Sequence, residues 1–269
     1  GRSWGDRVLA LVDGPPLRRL KALGAVGGMA YWKADGKVAD YYREAYELAQ
    51  KSGDTAARAE TAYNYAFVFS IERIGVPADR ELSRQYLAES LGAFREIGDP
   101  AATGRAAWAL AITYVNGSHS REELLLGRQY GTEALLEHRA LSERNLFDEG
   151  WDLHVLGLAA LKLIEVDEAA DRFREALGLF VAAADTSGIV LMLSNIAEVA
   201  RQRGDLERHD VLVGAWSALS ERTGVGLVDV YSATEGRLSR ADIPAERRPA
   251  LDRGLSMTTD AAVAYALET

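Results

Sequence analysis

The side chains of this chain that could do chemistry are few and scattered. His119, His138, His154 and His209 fall in four different stretches, none with a second histidine one helical turn away. Metal ligation needs such groups to converge with carboxylates on one point, so they read as packing or surface residues. The carboxylate pairs Glu122-Glu123, Asp148-Glu149 and Asp167-Glu168 stand near expected helix starts or on polar faces. There they favour the helix dipole by about a few tenths of a kcal/mol. A general acid–base pair needs burial and opposed environments, which this spacing does not announce. Gly24-Ala25-Val26-Gly27-Gly28 lies inside a helical period with no strand before it, so it reads as helix packing and not as a phosphate cradle. Neither GxxxxGK[ST] nor HExxH occurs, and there is no cysteine for a thiolate zinc site, a nucleophile or a disulfide. Arg18-Arg19 and Arg247-Arg248 are too isolated for a nucleic-acid stripe and read as surface charge. The expectation is a chain with no catalytic residue, no metal and no cofactor.

What the chain does repeat is a spacing of small and large apolar residues. In residues 151–184, Gly157 is followed by Ala169 at +12, Phe173 at +16 and Ala176 at +19, with Leu153 at −4 and Leu156 at −1. Small residues at 157, 169 and 176 let two helices approach, while Leu156 and Phe173 fill the space between them. This is the pattern of a tetratricopeptide helical hairpin. Laid along the chain it predicts units over 20–53, 54–98, 99–141, 142–185 and 186–224, with Gly27, Ala66, Ala111, Gly157 and Ala197 in the close-packing position. The first unit requires a turn one residue short at Asp35-Gly36. The second and third carry longer connections, around Gly75-Val76-Pro77 and from Asn116-Gly117-Ser118. Gly53-Asp54 and Gly98-Asp99 supply a left-handed stop followed by an N-cap, and Ser120 with Glu123 reads as a capping box.

The fifth unit keeps the spacing but places Trp216 where a small residue is expected, which predicts contact with something other than a sixth repeat. A partial helix over 3–13 looks like the end of an earlier hairpin, and a longer parent protein is expected. After Gly224 the period is lost; 225–269 reads as a helical cap, with short helices over 227–239, 245–254 and 258–268. The predicted fold is therefore all-α: an α-α superhelix of about five hairpins over 1–224, closed by a C-terminal helical cap over 225–269.

In such hairpins the first helix lines the concave side. Offsets of −3 and +1 from the close-packing positions select Tyr63 and Phe67, Trp108 and Ile112, His154 and Leu158, then Ser194 and Glu198; Tyr31 and Trp32, a turn beyond Gly27, and Trp151 join them. This is an aromatic wall that turns polar in the fifth unit. Two readings stay open: an exposed binding surface anchored by aromatic rings, or the inner core of a tight superhelix. Asn64 and Asn195 share one offset, two residues before Ala66 and Ala197. Their amides suit a peptide unit, and equally a neighbouring helix.

ALGAVGGMAYWKADGKVADYYREAYELAQKSGD, RFREALGLFVAAADTSGIVLMLSNIAEVARQRGDLERHDVLVGAWSALSERTG and the closing MTTDAAVAYALE resemble the C-terminal tetratricopeptide region of large bacterial, especially actinobacterial, signal-transduction proteins. In those proteins the region follows a nucleotide-binding ATPase module joined to an adenylate/guanylate cyclase domain or to a LuxR-type DNA-binding domain. The resemblance covers nearly the whole chain and implies a sensory or scaffolding role. It also implies that Asn64 and Asn195 bond the backbone of an extended peptide.

Charge and hydropathy narrow the partners. A net charge of −9 and a sequence pI of about 5.1 argue against a phosphate-tracking surface, so nucleic acid is not expected here. No apolar run approaches the length of a membrane span and no signal segment opens the chain; with no cysteine, a reducing cytoplasm is the expected location. The leading expectation is a non-enzymatic module that takes a peptide, a partner protein or another domain of its parent into the aromatic groove. Self-association to a homodimer through an exposed terminal hairpin is a second contact of this kind. The alternative is a small-molecule sensor that closes the Tyr31, Trp32, Tyr63, Trp108, Trp151 and His154 wall around an apolar ligand.

Overall fold

The structure, a computed structural model, describes residues 7, 9–11, 16–32, 35–70, 77–224 and 243–268. Among these residues every regular element is a helix. In chain order they are α1 (Pro16–Trp32), α2 (Val38–Ser52), α3 (Thr55–Ser70), α4 (Arg80–Ile97), α5 (Pro100–Val115) and α6 (Arg121–Arg139). Then come α7 (Leu146–Lys162), α8 (Val166–Ala182), α9 (Thr186–Gln202), α10 (Leu206–Thr223), α11 (Arg248–Leu255) and α12 (Thr259–Leu267). The all-α helical-repeat architecture expected from the spacing is present. No described helix is long and apolar enough to cross a membrane. The chain forms two compact units, Gly1–Thr113 and Tyr114–Thr269, and residues 243–268 belong to the second. The expected helix over 227–239 and most of the one over 3–13 lie outside the described residues; Arg7 and residues 9–11 are helical.

In the first unit, α2 buries Val38, Tyr42, Ala45 and Ala49, one stripe at three- and four-residue spacing. The ring of Tyr42 lies on Gly27, where an added Cβ would fall 2.4 Å from it. That contact is the counterpart of Phe173 on Gly157, also 2.4 Å from an added Cβ. Tyr42 follows Gly27 by one residue less than Phe173 follows Gly157, as the short Asp35-Gly36 turn requires. The stop-and-cap pairs form as expected. Gly53 and Gly98 have φ of 71° and 70°, and Asp54 and Asp99 accept the N–H groups of Ala57 and Ala102 at 3.0 Å.

The second unit has a stricter period. α7 to α10 start at residues 146, 166, 186 and 206, and one turn closes the first three. The N–H groups of Glu165, Asp185 and Asp205 each donate to the carbonyl five residues back, of Ala160, Phe180 and Ala200, at 2.9 Å. This is the bond of a Schellman turn, which satisfies a carbonyl left over at the helix end. Within the α7–α8 hairpin, Phe173 covers Gly157 and Phe180 covers Gly150. The sequence numbers of these two pairs run in opposite directions, so the helices are antiparallel. Gly188 at the start of α9 also receives Phe180, 2.3 Å from where its Cβ would be. Trp216 is buried in α10, and among the described residues α10 packs against α9 and the short helix α11. There a Cβ on Gly254 would lie 1.9 Å from the Val211 carbonyl oxygen, and one on Gly214 2.2 Å from that of Leu251.

Candidate interaction site

In the first unit, α1 and α3 bring Tyr31, Tyr63 and Phe67 together. Tyr63 and Phe67 are one helical turn apart on α3, so their rings meet edge to face with centroids 5.1 Å apart. Tyr31 meets Phe67 in the same way at 6.0 Å. All three are half-buried. Arg105 of α5 lies over Tyr63, its guanidinium carbon 5.0 Å from the ring centroid, and pairs with Glu60 at 2.8 Å. A cation over an aromatic face is worth about 0.5–2 kcal/mol, according to how far it is desolvated. Asn64 is also half-buried and donates to Glu60 at a long 3.5 Å, a contact within its own helix. Trp108 is half-buried and Ile112 is buried, both on α5. Trp32 is the last residue of α1, and its side chain lies outside the described part.

The residues picked out in the second unit are placed differently. His154, Leu158 and Asn195 are buried, His154 and Asn195 at 0 % exposure, together with Ser194 and Glu198. An extended peptide laid on the surface does not reach them. α7 and α9 are enclosed on every side: nearly every side chain from Glu149 to Leu161, and from Gly188 to Ala200, polar ones included, is buried. Trp151 alone of this group is half-buried. Its ring meets His154 at 5.4 Å and Phe180 at 6.0 Å, and His154 meets Phe173 at 6.4 Å. These rings pack against one another edge to face or tilted.

Several buried charges were not expected. Glu149 was read as a helix-start carboxylate on a solvated face; it is fully buried and paired with Arg144, whose Nε donates at 2.7 Å, and with Arg139 at 3.4 Å. The Arg144 bond holds its carboxyl below the ordinary carboxylate value against the opposing effect of burial. Asp152, three residues on, is hydrogen-bonded to buried His138 of α6 at 2.7 Å. Loss of hydration outweighs the His138 contact and pushes Asp152 up to about 6. Arg247, read as surface charge, grips buried Asp210 of α10 with both Nε and Nη2, at 2.7 and 2.6 Å. His209 completes that group, 2.9 Å from Asp210. Asp152 lies four residues before Leu156, on the helix stripe that carries Leu153 and Leu156. A carboxylate on an apolar stripe is the sequence signal that could have found it.

A histidine–carboxylate pair can orient a proton. Here both members are at 2 % exposure or less, and the pair joins α6 to α7. Among the described residues no three histidine or carboxylate side chains gather as a metal-binding group. No family model matches this chain, and no curated protein matches it either.

Proposed function

We propose that this chain is a non-enzymatic interaction and regulatory module, which holds a peptide, a partner protein or another domain of its parent against the aromatic row of α1 and α3. The observation that carries this reading is the half-buried set Tyr31, Phe67 and Tyr63 with Arg105 stacked on Tyr63. Aromatic rings and arginine are enriched at binding hot spots. Rings already fixed against one another lose little freedom when a partner covers them. The resemblance to the tetratricopeptide region of bacterial ATPase-linked regulators supports a cytoplasmic parent whose upstream domains supply the partner; a second copy of the chain is the further candidate. An apolar-ligand sensor has less support, because Trp151, His154, Phe173 and Phe180 turn their rings to each other.

Peptide display on the folded chain tests the reading. Sequences enriched on the wild type are expected to bind a Tyr63→Ala/Phe67→Ala variant about tenfold or more weakly, with helical content unchanged by circular dichroism. A selection that enriches nothing, or enriches equally on both proteins, overturns it.

A further inference from the structure

The second unit contains a pocket of about 140 Å³ between α8, α9 and the start of α10. Its floor is apolar, formed by Ala170, Ile196 and Val199. Three arginines line it: Arg174 from α8, Arg203 from the α9–α10 turn and Arg208 from α10. Asp205 and Glu268 also line it, so three arginines stand against two carboxylates in the lining.

The three arginines differ in how firmly they are engaged. Arg208 is fixed: it donates to the carbonyl oxygens of Ala266 and Glu268 at 3.0 and 2.7 Å and lies over the ring of Tyr265. Arg174 pairs with Asp171 at 2.7 Å and Arg203 with Asp167 at 2.5 Å, but those carboxylates have side chains 77 % and 93 % exposed. Ion pairs with partners so fully hydrated are weak. The Asp205 carboxylate is occupied at the start of α10, where it accepts the Arg208 backbone N–H at 3.0 Å. Two planar, forked donors can therefore exchange a solvated carboxylate for one held in the pocket, where less water competes.

We propose that this pocket is a binding site for a small monocarboxylic acid, its carboxylate held by Arg174 and Arg203 and its alkyl chain laid on the apolar floor. The volume admits a small ligand: about 140 Å³ has room for several water-sized groups, enough for an acid of about six heavy atoms.

Butyrate, butyramide and inorganic phosphate, titrated into the isotopically labelled chain and followed by NMR at Ala170, Val199 and Ala200, test the site. Butyrate is expected to saturate in the millimolar range, about what so few atoms can supply. Butyramide, with the same shape and no charge, and phosphate, with charge and no alkyl chain, are each expected to bind at least about tenfold more weakly. Arg203→Gln removes one half-exposed arginine and leaves the helices intact; it is expected to weaken butyrate by about tenfold or more. Absence of saturable shifts with butyrate, equal binding of either control, or unchanged affinity in Arg203→Gln overturns the proposal.

Discussion

Ile164 and Ala184 hold a backbone conformation that other turns of this chain give to glycine: their φ angles are 67° and 54°, against 79° at Gly204 in the equivalent turn after α9. A side chain in the left-handed region crowds its own carbonyl, and the cost is highest for a β-branched residue. Ile164 is 81 % exposed, so little packing offsets it. Ile164→Gly is expected to raise stability by about 1 kcal/mol in urea denaturation. Asp152 makes a second prediction at this scale. Its folded value of about 6 lies above the ordinary 3.8 because burial disfavours the charged form, with the His138 contact opposing and the nearby Asp148 and Glu149 reinforcing the rise. The folded chain therefore holds a proton there that the unfolded chain has already lost. The stability this contributes is full below about pH 4, falls as pH rises, and is gone above about pH 6, a change on the order of 3 kcal/mol. Asp152→Asn, which cannot ionise, is expected to gain stability relative to the wild type across that window and to hold a constant difference above it. Parallel curves for the two proteins from pH 4 to 7 in thermal unfolding would contradict this.

At the scale of elements, close approach is set by glycines that face something. α10 and α11 touch backbone to backbone through Gly214 and Gly254, and Arg247 locks the approach by its two-pronged hold on Asp210. A methyl group at 254 would meet the Val211 carbonyl at 1.9 Å, with no side chain able to turn aside. Gly254→Ala is expected to lose about 2–3 kcal/mol by forcing the helices apart. Gly178, inside α8 with nothing within 4 Å of an added Cβ, is the contrasting case. Gly178→Ala is expected to gain about 0.5–1 kcal/mol, since alanine is the better helix former. Urea denaturation of both variants checks the pair; a similar effect of the two would mean that helix propensity, not backbone contact, governs Gly254.

At the scale of the whole molecule, the helical pairs and the position of Gly27, Gly157 and Phe173 were legible in the sequence, because close packing admits only small residues at fixed helical intervals. Stops at Gly53 and Gly98 were legible for the same kind of local reason: a left-handed φ selects glycine. Tyr63 and Phe67 were found by offset and do meet Tyr31 in the first unit. His154 and Leu158 were found by the offsets that gave Tyr63 and Phe67, and Asn195 by the one it shares with Asn64, but all three are buried, because exposure depends on how many neighbours a helix has and not on its own period. The buried charges show the same limit. Asp210 and Arg247 stand 37 residues apart, and Asp152 and His138 belong to different helices, so no local pattern pairs them. The sequence by itself determined the helical class, the hairpin register and the turns, since each depends on contacts within a few helical turns. Only the tertiary structure decided which aromatic rings reach solvent, which carboxylates lose it and where arginines gather around a pocket, since burial and charge pairing arise between helices distant in the chain.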